Sequence, residues 1–182
     1  MIKRFTVTIF GAESTGKTTL SRQLAQKLEA TWLHEFARPY LEQTHADITN
    51  TSMIDIWRGQ LKLQKQAQGD LVVQDTDLFS TVGYWQLPHV EPTLGPCPDE
   101  LIADAHRLRS DLYIITKSNI PFEQDKIRYG GDRRESPDQY WIDLCENYAL
   151  PYIVLDASSR ATRVETAQTI IHERRILSCV AS

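Results

Sequence analysis

The stretch GAESTGKT, Gly11–Thr18, follows the β-branched and aromatic run FTVTIF, Phe5–Phe10. It opens a segment, Lys17 to Glu29, with Leu20, Leu24 and Leu28 at helical spacing. It matches G-x-x-x-x-G-K-[ST] in full and stands between a strand and a helix, the context in which that pattern cradles phosphate. The glycines let the backbone curl until successive N–H groups face an anion, and the helix N-terminus adds partial positive charge. The pattern therefore assigns a nucleotide site to Gly11, Glu13, Ser14, Thr15, Gly16, Lys17, Thr18 and Thr19. Lys17 reaches the outer phosphates and the Thr18 hydroxyl holds Mg²⁺, so the ligands implied are ATP and Mg²⁺.

Outward from this loop, strand-like and helix-like runs alternate. Strands are predicted at Thr31 to His34, Leu71 to Gln74, Leu112 to Thr116 and Tyr152 to Leu155, besides Phe5 to Phe10. Helices are predicted at Ser52 to Gly69 (with Ile56, Leu63 and Ala67 on one side), Asp99 to Leu108, Pro137 to Tyr148 and Arg160 to Arg175. Pro88 to Pro98 reads as a proline-rich loop, and 117–136 as a polar, glycine-containing lid. The alternation implies an α/β fold, a five-stranded parallel sheet with helices on both faces. The 182 residues suit one domain, since they are too few for two comfortable cores. A net charge of −4 argues against a nucleic-acid binder, and no apolar run has membrane-spanning length, so a cytoplasmic protein with neither partner is expected. The three cysteines, Cys97, Cys145 and Cys179, are far apart and read as free thiols. None of the five histidines shows metal-ligand spacing.

Three further elements bear on the chemistry. LVVQDTD carries a strand into Asp75, where phosphate-loop proteins place the acid that holds the metal, with Asp77 on the same turn. HEFAR ends the second strand and offers Glu35 and Arg38 as the groups that orient or deprotonate an acceptor hydroxyl. DKIRYGGDRR places Arg128, Arg133 and Arg134 in the lid, which would close over the triphosphate and exclude water. A guanine-specific switch is disfavoured. IITKSN, Ile114–Asn119, has the outline of a guanine-reading tetrad but puts Asn119 where a carboxylate must accept two N–H bonds. These elements point to a small-molecule kinase, with a nucleotide-dependent regulatory switch or ATPase as the alternative from another class.

Taken together, FGAESTGKTTL, HEFARPYLE, DTDLFSTVGYW and DLYIITKSNIPFEQDKIRYGGDRRE resemble the ribosylnicotinamide kinase domain of NadR-type bacterial proteins, in order from about Phe5 to Arg175. The resemblance implies transfer of the γ-phosphate of ATP to the 5′-hydroxyl of nicotinamide riboside, giving nicotinamide mononucleotide. It places Glu35, Arg38, Asp75 and Asp77 around the acceptor ribose and transferred phosphate, with Asp125, Arg128 and Arg133 in the lid. Phe122 stands where the family often has tryptophan and Lys126 where it often has glycine. NadR-type chains carry an adenylyltransferase domain before the kinase. With the loop beginning at Gly11, adenylylation is expected to fall to another enzyme. Trp57, Tyr84 and Trp85 are the candidates for stacking on the base. Another nucleoside, nucleotide or small metabolite remains the alternative acceptor.

Overall fold

The computed structural model describes residues 4–117, 137–156 and 159–180. Five strands, β1 (Phe5–Phe10), β2 (Thr31–Leu33), β3 (Leu71–Asp75), β4 (Leu112–Thr116) and β5 (Tyr152–Leu155), form one sheet in the order β2-β3-β1-β4-β5. All four pairings are parallel. The helices are α1 (Lys17–Lys27), α2 (Ala37–Thr44), α3 (Asn50–Gln66), α4 (Leu78–Trp85), α5 (Glu91–Leu94), α6 (Asp99–Arg107), α7 (Asp138–Asn147) and α8 (Arg160–Val180).

Strand side chains alternate between faces, and the sequence supplies apolar groups for both. Phe5, Val7 and Ile9 turn to the face covered by Leu20 and Leu24 of α1 and Val164 and Ala167 of α8. Phe10, Tyr113 and Ile115 turn to the other face, under α4, α6 and α7, where Phe10 meets the Trp141 ring edge-on at 5.1 Å. The register sets Ile9 opposite Asp75 and Phe10 opposite Ile115. The loops after β1, β3 and β4 therefore leave the sheet at one end. Among the described residues no helix is long and apolar enough to cross a membrane.

Three helices, α2, α4 and the short α5, lie where sequence periodicity predicts none. α2 starts without a side-chain cap and carries Pro39 in its first turn, a place where proline is tolerated. α4 has seven of its eight residues buried, so its sequence shows no polar face from which a helical period could be read. The short α5 sits inside the proline-rich loop. The buried face of α3 also departs from expectation. It runs through Met53, Ile56, Gln60 and Gln64, not through Leu63 and Ala67. The glutamines are buried because backbone donors need them. Gln64 Oε1 accepts from Leu78 N, one of the four unpaired N–H groups at the start of α4, and Gln60 Oε1 accepts from Phe36 N.

Beneath α4 lies a buried polar chain. Gln74 Nε2 donates to Thr8 Oγ1 (3.1 Å) and Ser110 Oγ (2.9 Å), and the Tyr113 hydroxyl donates to Asp77 Oδ2 (2.7 Å). Asp77 caps α4, its Oδ1 accepting from Ser80 N at 3.2 Å. Burial pushes the Asp77 carboxyl up to about 6, against the hydrogen bonds from Tyr113 and the backbone. A carboxyl raised on folding gives stability that is complete below its unfolded value and lost as pH rises through the folded one. Asp77→Asn keeps the cap and cannot ionise. Denaturant titrations of both proteins between pH 4 and 7 should show the wild type losing stability relative to the variant, by up to about 3 kcal/mol across that window. Parallel curves would show that Asp77 does not ionise there.

Candidate active site

The phosphate loop is shaped by backbone that most residues avoid. Gly11 has φ +123°, and a Cβ there would lie 3.0 Å from the Thr116 carbonyl oxygen, so the loop packs directly on the end of β4. Gly16 (φ 81°) and Ser14 (φ 57°) also take positive φ. Thr15 Oγ1 donates to Ala12 O at 2.9 Å and lies 2.6 Å from Thr116 Oγ1. Thr15 is fully buried and so ties the loop together from within, while Thr18 and Thr19 are exposed at the start of α1. Lys17 Nζ donates to Ala12 O at 2.7 Å. Desolvation lowers the Lys17 pKa, opposed by the nearby charges of Glu35, Asp75 and Glu13.

A residue the sequence reading passed over completes this clamp. Arg163, on α8, is 3% exposed. One guanidinium nitrogen donates to Thr15 O (2.9 Å) and the other to Lys117 O (3.1 Å), joining the loop to the end of β4. Desolvation lowers its pKa, and the charges of Asp138 and Asp156 work against that. Lys117 itself pairs with Asp156 at 2.9 Å. The only sequence signal was an arginine early in an amphipathic helix, which by itself reads as solvated.

Asp75 ends β3 beside the loop and is 2% exposed. Its carboxylate accepts a hydrogen bond from Thr18, yet its Oδ1 is buried with no partner among the described residues. Burial raises its pKa, with Thr18 and Lys17 opposing. A buried carboxylate oxygen left open beside a threonine hydroxyl fits Mg²⁺, which takes oxygen ligands and binds through few protein groups. Thr76, directly after it, has φ 67°, costly for a β-branched residue and found mainly where a site demands it.

Glu35 stands at the end of the β2 connection, its Oε2 4.0 Å from Arg38 Nε, and its side chain is 23% exposed. Desolvation raises its pKa, Asp75 raises it further, and Lys17 and Arg38 pull it down. The approach of α2 to α3 sets this position. Gly59 leaves room for the Phe36 ring, with which a Cβ would collide, and Tyr40 donates to Asp55 Oδ2 at 3.0 Å. Glu35 and Arg38 line a cleft of about 250 Å³ together with Glu13, Thr76 and Tyr84. Its wall is apolar, with Leu41, Met53, Ile56 and Leu87. Small ligand sites are of this kind, apolar with a few placed polar groups.

The structure thus brings together Glu13, Lys17, Thr18, Glu35, Arg38, Asp75 and Tyr84. It separates three residues that the sequence placed with them. Asp77 faces the core, committed to the α4 cap and Tyr113. Trp85 is fully buried and donates to Gly95 O at 3.0 Å, and Trp57 donates to Asp104 Oδ2 at 3.1 Å on α6, outside the cleft lining. Ring chemistry alone points to the tryptophans, but the helix faces that carry them turn elsewhere. Asp125, Arg128 and Arg133, with all of the lid reading beyond Lys117 (118–136), lie outside the described residues. Cys97 and Cys145 are free and buried, their thiols pushed up to about 12 by desolvation.

A parallel sheet with the phosphate loop after its central strand and an acid after the neighbouring one defines a P-loop domain, here with a kinase-type fold. Residues 6–163 match the AAA domain family, and the chain belongs to it. Among solved structures it is similar to a NadR protein in complex with NR, at 25% identity and TM-score 0.71, covering 94% of this chain and 52% of that one. A second NadR structure, with NAD and AMP-PNP, is 25% identical at TM-score 0.70, covering 94% and 49%. This chain therefore spans about half the length of those two proteins. The deoxyadenosine kinase of M. mycoides shares the fold at 20% identity and TM-score 0.61, covering 93% of this chain and all of that one. The likeness to NadR-type proteins read from the sequence is borne out.

The Arg163 clamp is testable apart from any reaction. Arg163→Ala removes the hydrogen bonds to the buried Thr15 carbonyl and the half-buried Lys117 carbonyl and should cost roughly 2–3 kcal/mol of stability, with weaker binding of a non-hydrolysable ATP analogue. Arg163→Lys, a charge without the fork, should recover only part of either. Wild-type melting and nucleotide affinity in the alanine variant would remove the clamp from the account.

Proposed function

We propose that this chain is an ATP-dependent kinase that transfers the γ-phosphoryl group to the 5′-hydroxyl of nicotinamide riboside, giving nicotinamide mononucleotide. One observation carries the reading. Glu35, within the electrostatic reach of Lys17 and Asp75, lines an apolar cleft that opens beside the phosphate loop. A switch or a simple hydrolase has no use for a cavity there, whereas a kinase must seat an acceptor in it.

The geometry supports these roles for the described residues. The loop N–H groups and Lys17 hold and neutralise the phosphates. Mg²⁺ at Asp75 and Thr18 would supply further charge neutralisation to the phosphate oxygens. Glu35, whose proton affinity burial raises, takes the proton of the acceptor hydroxyl as its oxygen bonds to the γ-phosphorus and the bond to ADP breaks. Arg38 beside it fixes the carboxylate and meets the developing charge. Arg128 and Arg133 are assigned to the transferred phosphate, and Asp125 to the acceptor, on the sequence resemblance alone. The carboxylates of Glu13 and Glu35 and the face of Tyr84 suit a one-ring base with a fixed positive charge. An aromatic face contributes about 0.5–2 kcal/mol to such a cation.

Three measurements test this. In a nucleoside panel with ATP, nicotinamide riboside should give the highest kcat/KM, and Tyr84→Leu should raise its KM more than that of ATP. A neutral nucleoside used tenfold better would overturn the acceptor and leave the kinase. Glu35→Gln should lower kcat by roughly 10²- to 10⁴-fold with ATP-analogue affinity unchanged, and a loss confined to affinity would move Glu35 to the metal. Lys17→Ala should lose turnover by orders of magnitude while keeping the native fold, and near-normal turnover would sink the nucleotide assignment.

A further inference from the structure

The cleft contains a polar side chain that the phosphoryl transfer does not use. Gln60 of α3 is 3% exposed and lines the cleft between Ile56 and the β2–α2 connection. Its Oε1 accepts from Phe36 N at 3.0 Å, and since a backbone N–H can only donate, the orientation of the amide is fixed. The other end of the amide, Nε2, is buried and without a partner among the described residues. Only one other buried side-chain polar atom there lacks a partner, Asp75 Oδ1, at the position that fits the metal. Buried donors are almost always paired, and one left open is costly. Both open atoms belong to the one site where a ligand would bind.

We infer that Gln60 sets acceptor specificity: its Nε2–H₂ donates to a hydrogen-bond-accepting oxygen on the acceptor's heterocyclic ring. Met53, Ile56 and Leu87 make much of the wall apolar, and of the polar groups in the lining Gln60 Nε2 is the buried donor left without a partner among the described residues. An apolar wall distinguishes ring sizes weakly, whereas a donor that must be paired rejects a ring without the oxygen strongly. The inference rests on the kinase reading. In its nicotinamide riboside form, the oxygen is that of the ring carboxamide. Gln60 also holds Phe36 N, next to Glu35, so its replacement must separate recognition from support of that loop.

Two variants make the separation. Gln60→Glu keeps an acceptor for Phe36 N and loses the amide donor, and Gln60→Met is neutral and cannot donate. Each is compared with the wild type on nicotinamide riboside and on the pyridine riboside that lacks the carboxamide, with the KM for ATP followed in parallel. The wild type should prefer the carboxamide about tenfold or more in kcat/KM. The Glu variant, and the Met variant if it folds, should bring that preference to within about twofold, through the acceptor KM and not the ATP KM. A wild type without preference, or variants that keep it while losing turnover on both acceptors alike, would overturn the inference and leave Gln60 as a support for Phe36. If the panel selects another nucleoside, the same comparison is made with that nucleoside and its analogue lacking the ring oxygen. A preference lost there upholds Gln60 while the nicotinamide reading falls. A panel with no phosphorylated nucleoside refutes both.

Discussion

Parallel pairing of β1 with β3 and β4 is the constraint from which the site follows. It puts Ile9 beside Asp75 and Phe10 beside Ile115, so the phosphate loop, the metal-fitting acid and the end of β4 emerge together at one end of the sheet. A slip by one residue would swap the side chains of β1 between the two apolar cores and carry Asp75 away from Thr18. Two apolar cores hold the register, one under α1 and α8 and one under α4, α6 and α7. The clamp of Thr15, Thr116 and Arg163 then fixes a loop whose backbone conformation is unfavourable on its own.

Electrostatics around that end are poised by burial. Lys17 has Glu35, Asp75 and Glu13 near it, and desolvation alone would push the lysine toward its neutral form and the carboxylates toward theirs. The three carboxylates oppose the desolvation of Lys17, and Lys17 and Arg38 oppose that of Glu35 and Asp75, while Asp75 adds to the rise at Glu35. In the proposed reaction, incoming phosphates and a divalent cation would engage Lys17 and Asp75 and leave Glu35 to the acceptor. A carboxylate whose proton affinity is raised by burial is a better base for a hydroxyl than one free in water.

Much of this was legible in the sequence because the signals are local. The strands are continuous apolar runs, the glycine loop has fixed spacing, and Lys17, Thr18, Glu35 and Asp75 sit at strand or loop ends that the motif order identifies. What escaped depends on packing. α4 is buried nearly all round and shows no period, and α2 begins without a cap. Asp77 has the same chemistry as Asp75 two residues earlier, yet the positive φ of Thr76 between them accompanies one carboxylate at the site and the other in the core. Trp57 and Trp85 were chosen for what indoles can do, but α3 turns Trp57 toward α6 and α4 buries Trp85. Gln60 and Arg163 carry no pattern in the chain. Their importance comes from the N–H and carbonyl groups that the fold leaves for them to meet.

The central claim is that the cavity beside the phosphate loop seats the group that receives the phosphoryl. The most direct test follows the γ-phosphoryl of labelled ATP and measures its partition between water and a nucleoside. The account predicts that nearly all the label enters a 5′-phosphate monoester when the acceptor is present, and that release of inorganic phosphate is slow without it. Label passing to water at the same rate with and without nucleoside would contradict it, and would make the chain a nucleotide hydrolase or switch.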